Sequence, residues 1–405
     1  MKREFFASFG NKIILFFYFC IRNLLFVQRL NNQKMNNETI RFIDPDKNTA
    51  QFFSELRKRV DEYFREKKLS RHFNSEMVLK TIILLSAYVL PFAALLIFPL
   101  PFSVSLLLWI VMAFALAGIG MSVMHDANHG AYSKNSRVNY WLGHTLNLLG
   151  GSVFNWKMQH NLQHHTFTNI VNEDDDIADK LILRFSPHTE VKWYHKLQFV
   201  YAFLFYGIVT LYWAFLKDFL QFRSYIRDGV NKNNKQQNRV ALLKLIFIKI
   251  AYSLVFIVLP LFVVKVPAGQ WLYGFLLMHF IAGIVLTVIF QLAHTVEGTT
   301  HPLPNENYVI ENNWAIHQLH TTVNFARKNK VLTWYLGGLN YQVEHHLFPT
   351  ICHVHYPAIS GIVKSTCEEY GVPYLENETF AQALLSHIRT LQRFGKMTSL
   401  NEVIA

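Results

Sequence analysis

Eight of the chain's nineteen histidines fall at three short motifs and one further position. "HDANH" carries His125 and His129, "HNLQHH" carries His160, His164 and His165, and "QVEHH" carries His345 and His346. His294 stands in "FQLAHTVE". Spacing of four puts His125 and His129 on one helix face, about 40° apart at 100° per residue. His160 and His164 repeat that spacing, with His165 beside them. Imidazole suits zinc, copper, iron and nickel, and the neutral ring ligates at cytoplasmic pH. Eight imidazoles exceed what one ion needs, so the pattern suggests two metal ions side by side. Calcium or magnesium would want carboxylates. Gln342 lies one turn before His345, where its amide can ligate weakly or orient a ligand. Each pair alone is an ordinary interfacial anchor; the combination carries the reading.

Other polar residues near these motifs take supporting roles. Asp174, Asp175 and Asp176 in "NEDDDIADK" are acceptors for imidazole N–H groups, or part of a solvated loop. His317, His320, His353 and His355 read as packing or supporting residues. His72, His144, His188, His195, His279, His301 and His387 belong to no constellation. Cys20, Cys352 and Cys367 are too few and too scattered for a disulfide framework or a zinc site.

The elements that position the histidines must be membrane helices. The chain is 51% hydrophobic with only 16% charged residues, too apolar for an ordinary soluble protein. Its net charge of +12 suits anionic lipid headgroups, and the scatter of basic residues around apolar segments argues against nucleic acid as a partner. Residues 79–98 and 104–124 are long enough to span, joined by "PLPF"; so are 243–264 and 270–293, joined by "KVPAG". Arg57 to Arg71 and the basic run Arg223, Arg227, Lys232, Lys235, Arg239, Lys244 and Lys249 belong on the cytoplasmic side. Residues 197–216 are also long enough, but a crossing there would separate the histidines. Their Tyr, Trp and Phe content favours the interface, so they lie there or against the other helices; a fifth span is the alternative. The fold class is therefore an all-α integral membrane protein, with four transmembrane helices in two hairpins and a cytoplasmic histidine-rich cap. Residues 1–34, whose apolar run Arg22 and Asn23 interrupt and after which Met35 opens a different texture, read as a dispensable N-terminal extension or a mis-assigned start. Residues 35–78 form a cytoplasmic lead-in, in which Phe52, Phe53, Leu56, Val60, Tyr63 and Phe64 recur at helical spacing and predict an amphipathic helix leading into the membrane. Residues 376–405 form a cytoplasmic tail.

The motifs "HDANH", "HNLQHH" and "QVEHH" resemble the three histidine boxes of the membrane-bound fatty acid desaturases. The resemblance runs over roughly residues 40–375 and makes 79–375 the desaturase domain. Gln342, "HHTFTN", "HQLHTTVNFA" and "GGLNYQVEHHLFP" are similar to the front-end subgroup and to bacterial acyl-CoA or linoleoyl-CoA desaturases. The resemblance implies a di-iron centre on His125, His129, His160, His164, His165, His294, His345 and His346. It implies dioxygen as co-substrate, a fatty acyl-CoA or acyl-lipid substrate, and an active site on the cytoplasmic side of a bacterial inner membrane. Where some relatives carry an asparagine, four residues before His294, this chain has Phe290. Many front-end enzymes carry a fused b-type cytochrome with a His-Pro-Gly-Gly motif; here His301-Pro302 is followed by Leu303-Pro304. Electrons are expected from a separate ferredoxin, or a b-type cytochrome with its reductase.

The chemistry agrees with that expectation. An unactivated methylene C–H bond has no acidic proton and no leaving group, so a redox metal with dioxygen must break it. The acyl chain would enter among the spans near Trp109, Phe114, Trp271 and Phe275, with Lys157, Lys192 and Arg239 available to a head group. A metal transporter is the rival from another class, but it would place ionisable ligands near mid-membrane. A hydroxylase, ketolase or sphingolipid desaturase on the same centre is the rival within the class.

Overall fold

The computed structural model describes residues 40–46, 49–177 and 182–397. The expected extension at 1–34 and the last residues of the tail lie outside them. From Arg41 onward the chain is helical, with two short parallel pairings: Arg41–Phe42 beside Val309–Ile310, and Asn324–Phe325 beside Glu376–Asn377. The principal helices are α1 (Phe52–Glu66), α2 (Ser75–Ile97), α3 (Phe102–Asn128), the helical segment α4 (153–167), α5 (Trp193–Arg227), α6 (Lys235–Val264) and α7 (Ala268–His294). The smaller α8 (Trp314–Thr321), α9 (Gln342–Leu347), α10 (Tyr356–Glu369) and α11 (Phe380–Lys396) follow.

Among the described residues, five helices (α2, α3, α5, α6 and α7) are long and apolar enough to cross a membrane. Length and composition thus admit one more span than the four expected, because 197–216 belongs to the 35-residue α5. Outward faces carry large apolar side chains, such as Leu79, Ile82 and Leu90 on α2 and Phe247 and Val263 on α6. That is the pattern of helices solvated by lipid.

Helix α5 is tied at both ends to elements around the histidines. Near its start, the Gln198 amide donates to the carbonyls of Leu391 on α11 and of Arg184. Near its end, Lys217 donates to Gln159 of α4, while Gln221 and Tyr225 donate to Asp175. Its middle crosses α7 closely. A Cβ on Gly283 would stand 2.6 Å from the Tyr206 carbonyl oxygen, so only glycine allows the two backbones to approach there.

Two apolar cores divide the molecule. One lies among the long helices, where Trp109 packs edge-on against Trp271 with ring centroids 4.9 Å apart. Phe275 is buried in the same core, whereas Phe114 is 45% exposed and faces outward, so it does not line an interior path. The second core joins α1 to α8, α9 and α10 through Phe52, Leu56, Val60, Leu319, Val343 and Ile359. The predicted amphipathic helix is therefore present, and its apolar stripe packs on α8, α9 and α10. Lys249 also departs from expectation. It is buried, with Nζ 2.6 Å from Asp218 Oδ2, and donates to the Gly150 and Trp213 carbonyls. It fastens α6 to α5 and to the loop before α4 instead of meeting headgroups.

The glycine pair before "QVEHH" has a packing reason. Gly337 and Gly338 have φ of 62° and 69°, and a Cβ on Gly337 would lie 2.6 Å from the Met121 carbonyl oxygen. Met121 sits in a π-helical turn, Ile119–Val123, immediately before the first histidine motif. The left-handed backbone alone makes Gly337→Ala cost about 1–2 kcal/mol. Its clash with α3 adds to that, and the variant should unfold at a clearly lower temperature in detergent; an unchanged midpoint would contradict this packing.

Candidate metal centre

The three motifs meet although they come from different elements. His125 ends α3, His129 follows it, His160 to His165 lie on α4, His294 ends α7, and His345 and His346 lie on α9. All except His129 are buried, and it is half-buried. The nitrogens form two sets, each with all its donor atoms within 4.8 Å of one another. The first is His125, His129, His160 and His345; the second is His164, His294 and His346.

Local winding explains how α4 serves both sets. Residues Lys157–His164 are π-helical, so i→i+5 bonding brings residue i+5 over residue i. His165 accordingly reaches His160, with Nε2 atoms 3.2 Å apart. Its ring lies between the sets, 4.6 Å from His345 and 4.5 Å from His346 by centroids. His165 belongs to neither compact set.

The orientation of the rings is set from outside. Nδ1 of His164 donates to both oxygens of Asp174 at 3.1 Å, and Nδ1 of His294 donates to the Thr321 carbonyl at 3.1 Å. Nδ1 of His346 donates to Gln318 Oε1 at 2.8 Å, and Nδ1 of His345 lies 3.2 Å from the Tyr356 hydroxyl. A ring that donates through Nδ1 leaves a lone pair on Nε2. Nε2 of His129, His164, His294, His345 and His346 is buried without a hydrogen-bond partner among the described residues. Nε2 of His125 and of His160 approach to 3.0 Å. Buried polar atoms are rarely left unpaired. Convergent, unpaired imidazole nitrogens with anchored opposite nitrogens fit a pair of transition-metal ions.

Electrostatics favour the neutral rings a metal needs. Burial and then neighbouring imidazoles hold His129, His165, His345 and His346 well below the ordinary histidine range. His164 differs: burial works against its protonation, but Asp174 and Asp176 outweigh it and push it up to about 9. The carboxylates make His164 the most basic donor of its set. Removing Asp174 with Asp174→Ala should lower metal affinity or activity by about 10–100-fold. Metal titration of the apoprotein would measure it, and unchanged affinity would refute the role.

Three features escaped the sequence reading. Gln318 and Tyr356 hold the His346 and His345 rings although neither is charged; Gln318 stands within "HQLHTTVNFA" between His317 and His320. Asp126, inside "HDANH", accepts from His353 Nδ1 at 2.8 Å, and His353 Nε2 lies 2.7 Å from Lys80 Nζ. That buried chain holds the segment after α9 against α3. His317 packs as expected, with Nε2 2.9 Å from the Thr168 carbonyl oxygen. His320 and His355 enter neither set. Phe290 and Trp156 close one side: Phe290 is 6.0 Å and Trp156 4.6 Å from His160 by ring centroids. Gln342 is 1% exposed, and its Nε2 is buried without a partner among the described residues.

A helical membrane protein with a doubled histidine cluster at the ends of its long helices is the class that emerges, and residues 101–377 match the fatty acid desaturase family. The chain belongs to that family and is a fatty acid desaturase, an oxidoreductase. It is 36% identical over 344 residues to the sn-1 linoleoyl-lipid 6-desaturase of Arthrospira platensis, covering 85% of this chain and 92% of that one. It is 38% identical over 348 residues to the protein of the same name from Synechocystis, covering 84% and 94%. The acyl-lipid (8-3)-desaturase of Physcomitrium patens is 33% identical over 380 residues, covering 93% and 78%.

Proposed function

We propose that this chain introduces a double bond into a lipid-bound polyunsaturated acyl chain, on the carboxyl side of an existing double bond, using dioxygen and two irons. The observation that carries the reading is the pair of buried sets of convergent, unpaired Nε2 atoms. His125, His129, His160 and His345 would hold one iron, and His164, His294 and His346 the other, with His165 between them. The metal pair supplies the redox chemistry that an unactivated C–H bond requires. The protein's part is to fix the rings of His164, His294, His345 and His346 through Asp174, Thr321, Tyr356 and Gln318, and to exclude water with Phe290 and Trp156. The similarity to desaturases named for linoleoyl-lipid and acyl-lipid substrates supports the substrate class and the front-end outcome. Electrons would come from a separate ferredoxin or b-type cytochrome. The test is elemental analysis of purified protein. Two irons per chain are expected; zinc as the native metal, or no stoichiometric iron, would overturn the assignment.

The same reading takes α2, α3, α6 and α7 as the membrane crossings and puts the histidines in the cytoplasm of a bacterial cell. Attachment of both ends of α5 to elements around the histidines supports this, because a crossing helix would carry its ends to opposite faces. Single cysteines at Lys232 and Lys328 should then label with an impermeant thiol reagent only after the cells are opened. Labelling of position 232 in intact cells would make α5 a span.

A further inference from the structure

The helical segment that carries His160 has a second occupied face. One turn before His160, Val153, Phe154 and Lys157 line a cavity of about 560 Å³, closed opposite by Val240, Lys244 and Ile248 of α6. That volume is in the range of small-molecule sites. Trp156, on the neighbouring face of the same turn, packs against the rings of His125, His129 and His160. The cavity and the histidine cluster are therefore separated by the width of one helical segment.

Its lining has two characters. Apolar walls from Val153, Phe154, Val240 and Ile248 meet a polar margin of Ser152, Asn233, Gln236 and Gln237, and the cations are Lys157 and Lys244, both solvent-accessible. Among the described residues no carboxylate lines the cavity, and neither ammonium is engaged in a salt bridge. Partial burial holds Lys157 below the ordinary lysine range. Exposed aromatic and apolar side chains surround its rim. Tyr140 and Trp141 are 56% and 72% exposed, as interfacial aromatics are, and Leu243 and Phe247 on α6 are 57% and 71% exposed. A soluble anion would not need this apolar approach, whereas a phosphate carried on a diacylglycerol would.

From this juxtaposition we infer that the cavity between α4 and α6 binds the phosphate of an anionic membrane glycerolipid, with Lys157 and Lys244 as its cationic contacts. The inference rests on the lipid-desaturase reading and narrows its substrate class: a phospholipid delivered from within the bilayer. Lys157 and Lys244 act as recognition residues for the head group, while the acyl chain would run toward the histidines past Trp156.

The test reads binding separately from turnover. Native mass spectrometry of the detergent-purified, iron-loaded protein, titrated with dilinoleoyl phosphatidylglycerol, should show one saturable lipid adduct. Lys157→Gln with Lys244→Gln should weaken that adduct about tenfold or more, since 1.4 kcal/mol of lost charge-assisted contact is tenfold. An uncharged galactolipid should bind both proteins alike. Val240→Trp, which fills the cavity from an exposed position, should weaken the phospholipid adduct without touching either lysine. Equal phosphatidylglycerol binding by wild type and the double lysine variant would overturn the inference. So would linoleoyl-CoA binding more tightly than the phospholipid through the same two lysines. Lysine-dependent lipid binding without any desaturation would instead count against the catalytic reading and leave this site standing.

Discussion

Alanine at His345 or His346 should abolish turnover, and the two variants should lose different irons. The residues are consecutive on the six-residue α9, so their side chains leave the helix about 100° apart. His345 accordingly joins His125, His129 and His160, while His346 joins His164 and His294. Their outer partners differ as well, Tyr356 for one and Gln318 for the other. Each substitution removes one nitrogen from one set and leaves the other set complete. Iron content should fall from two toward about one per chain, with activity down about 100-fold or more, beyond the loss expected for a merely supporting residue. Parallel variants at His129 and His294 should divide in the same way. Elemental analysis and turnover measured on one preparation check this. Full activity in His345→Ala or His346→Ala, or retention of both irons in the two variants, would refute the two-set assignment.

The second large effect is expected at Gln342. It begins α9 one turn before His345, and its amide nitrogen is buried with no partner among the described residues. A buried amide without a partner costs free energy unless a ligand or a metal-bound group satisfies it. Gln342→Ala should cut turnover about tenfold or more with both irons retained, because both histidine sets stay complete in that variant. Gln342→His should recover part of the activity, since imidazole restores a polar group at the same site. Loss of iron in Gln342→Ala would make the glutamine a ligand; unchanged turnover would make it an ordinary interfacial residue.

How far the site could be read from the sequence follows from what carried the signal. The eight histidines were legible because their residue type and spacing are tied to metal chemistry, and the structure gathers all eight at one place. The division into sets was not legible. It depends on the π-helical winding of Lys157–His164, which alters which residues share a face, and on four elements converging across more than 200 positions of sequence. Apolar length placed each of the four expected segments on a long helix, α2, α3, α6 and α7. It also made 197–216 long enough to cross, but could not show how α5 is held, since the attachments of Gln198, Gln221 and Tyr225 are tertiary contacts. The amphipathic stripe Phe52, Leu56, Val60 and Phe64 identified α1 but not its partner, because a helix face reads the same whether protein or lipid covers it. Lys249 was misplaced for a related reason: a lysine in a basic run gives no sign that Asp218, on another helix, will neutralise it.

If the two buried histidine sets drive front-end desaturation of a linoleoyl chain, as proposed, the position of the new double bond shows it most directly. Cells expressing the chain and supplied with linoleate should be analysed by gas chromatography–mass spectrometry of their acyl derivatives, beside cells expressing His345→Ala. A trienoic chain with its new double bond on the carboxyl side, present in the first culture and absent from the second, is the predicted result. A new bond on the methyl side, product formed only from saturated chains, or equal product in both cultures would contradict it.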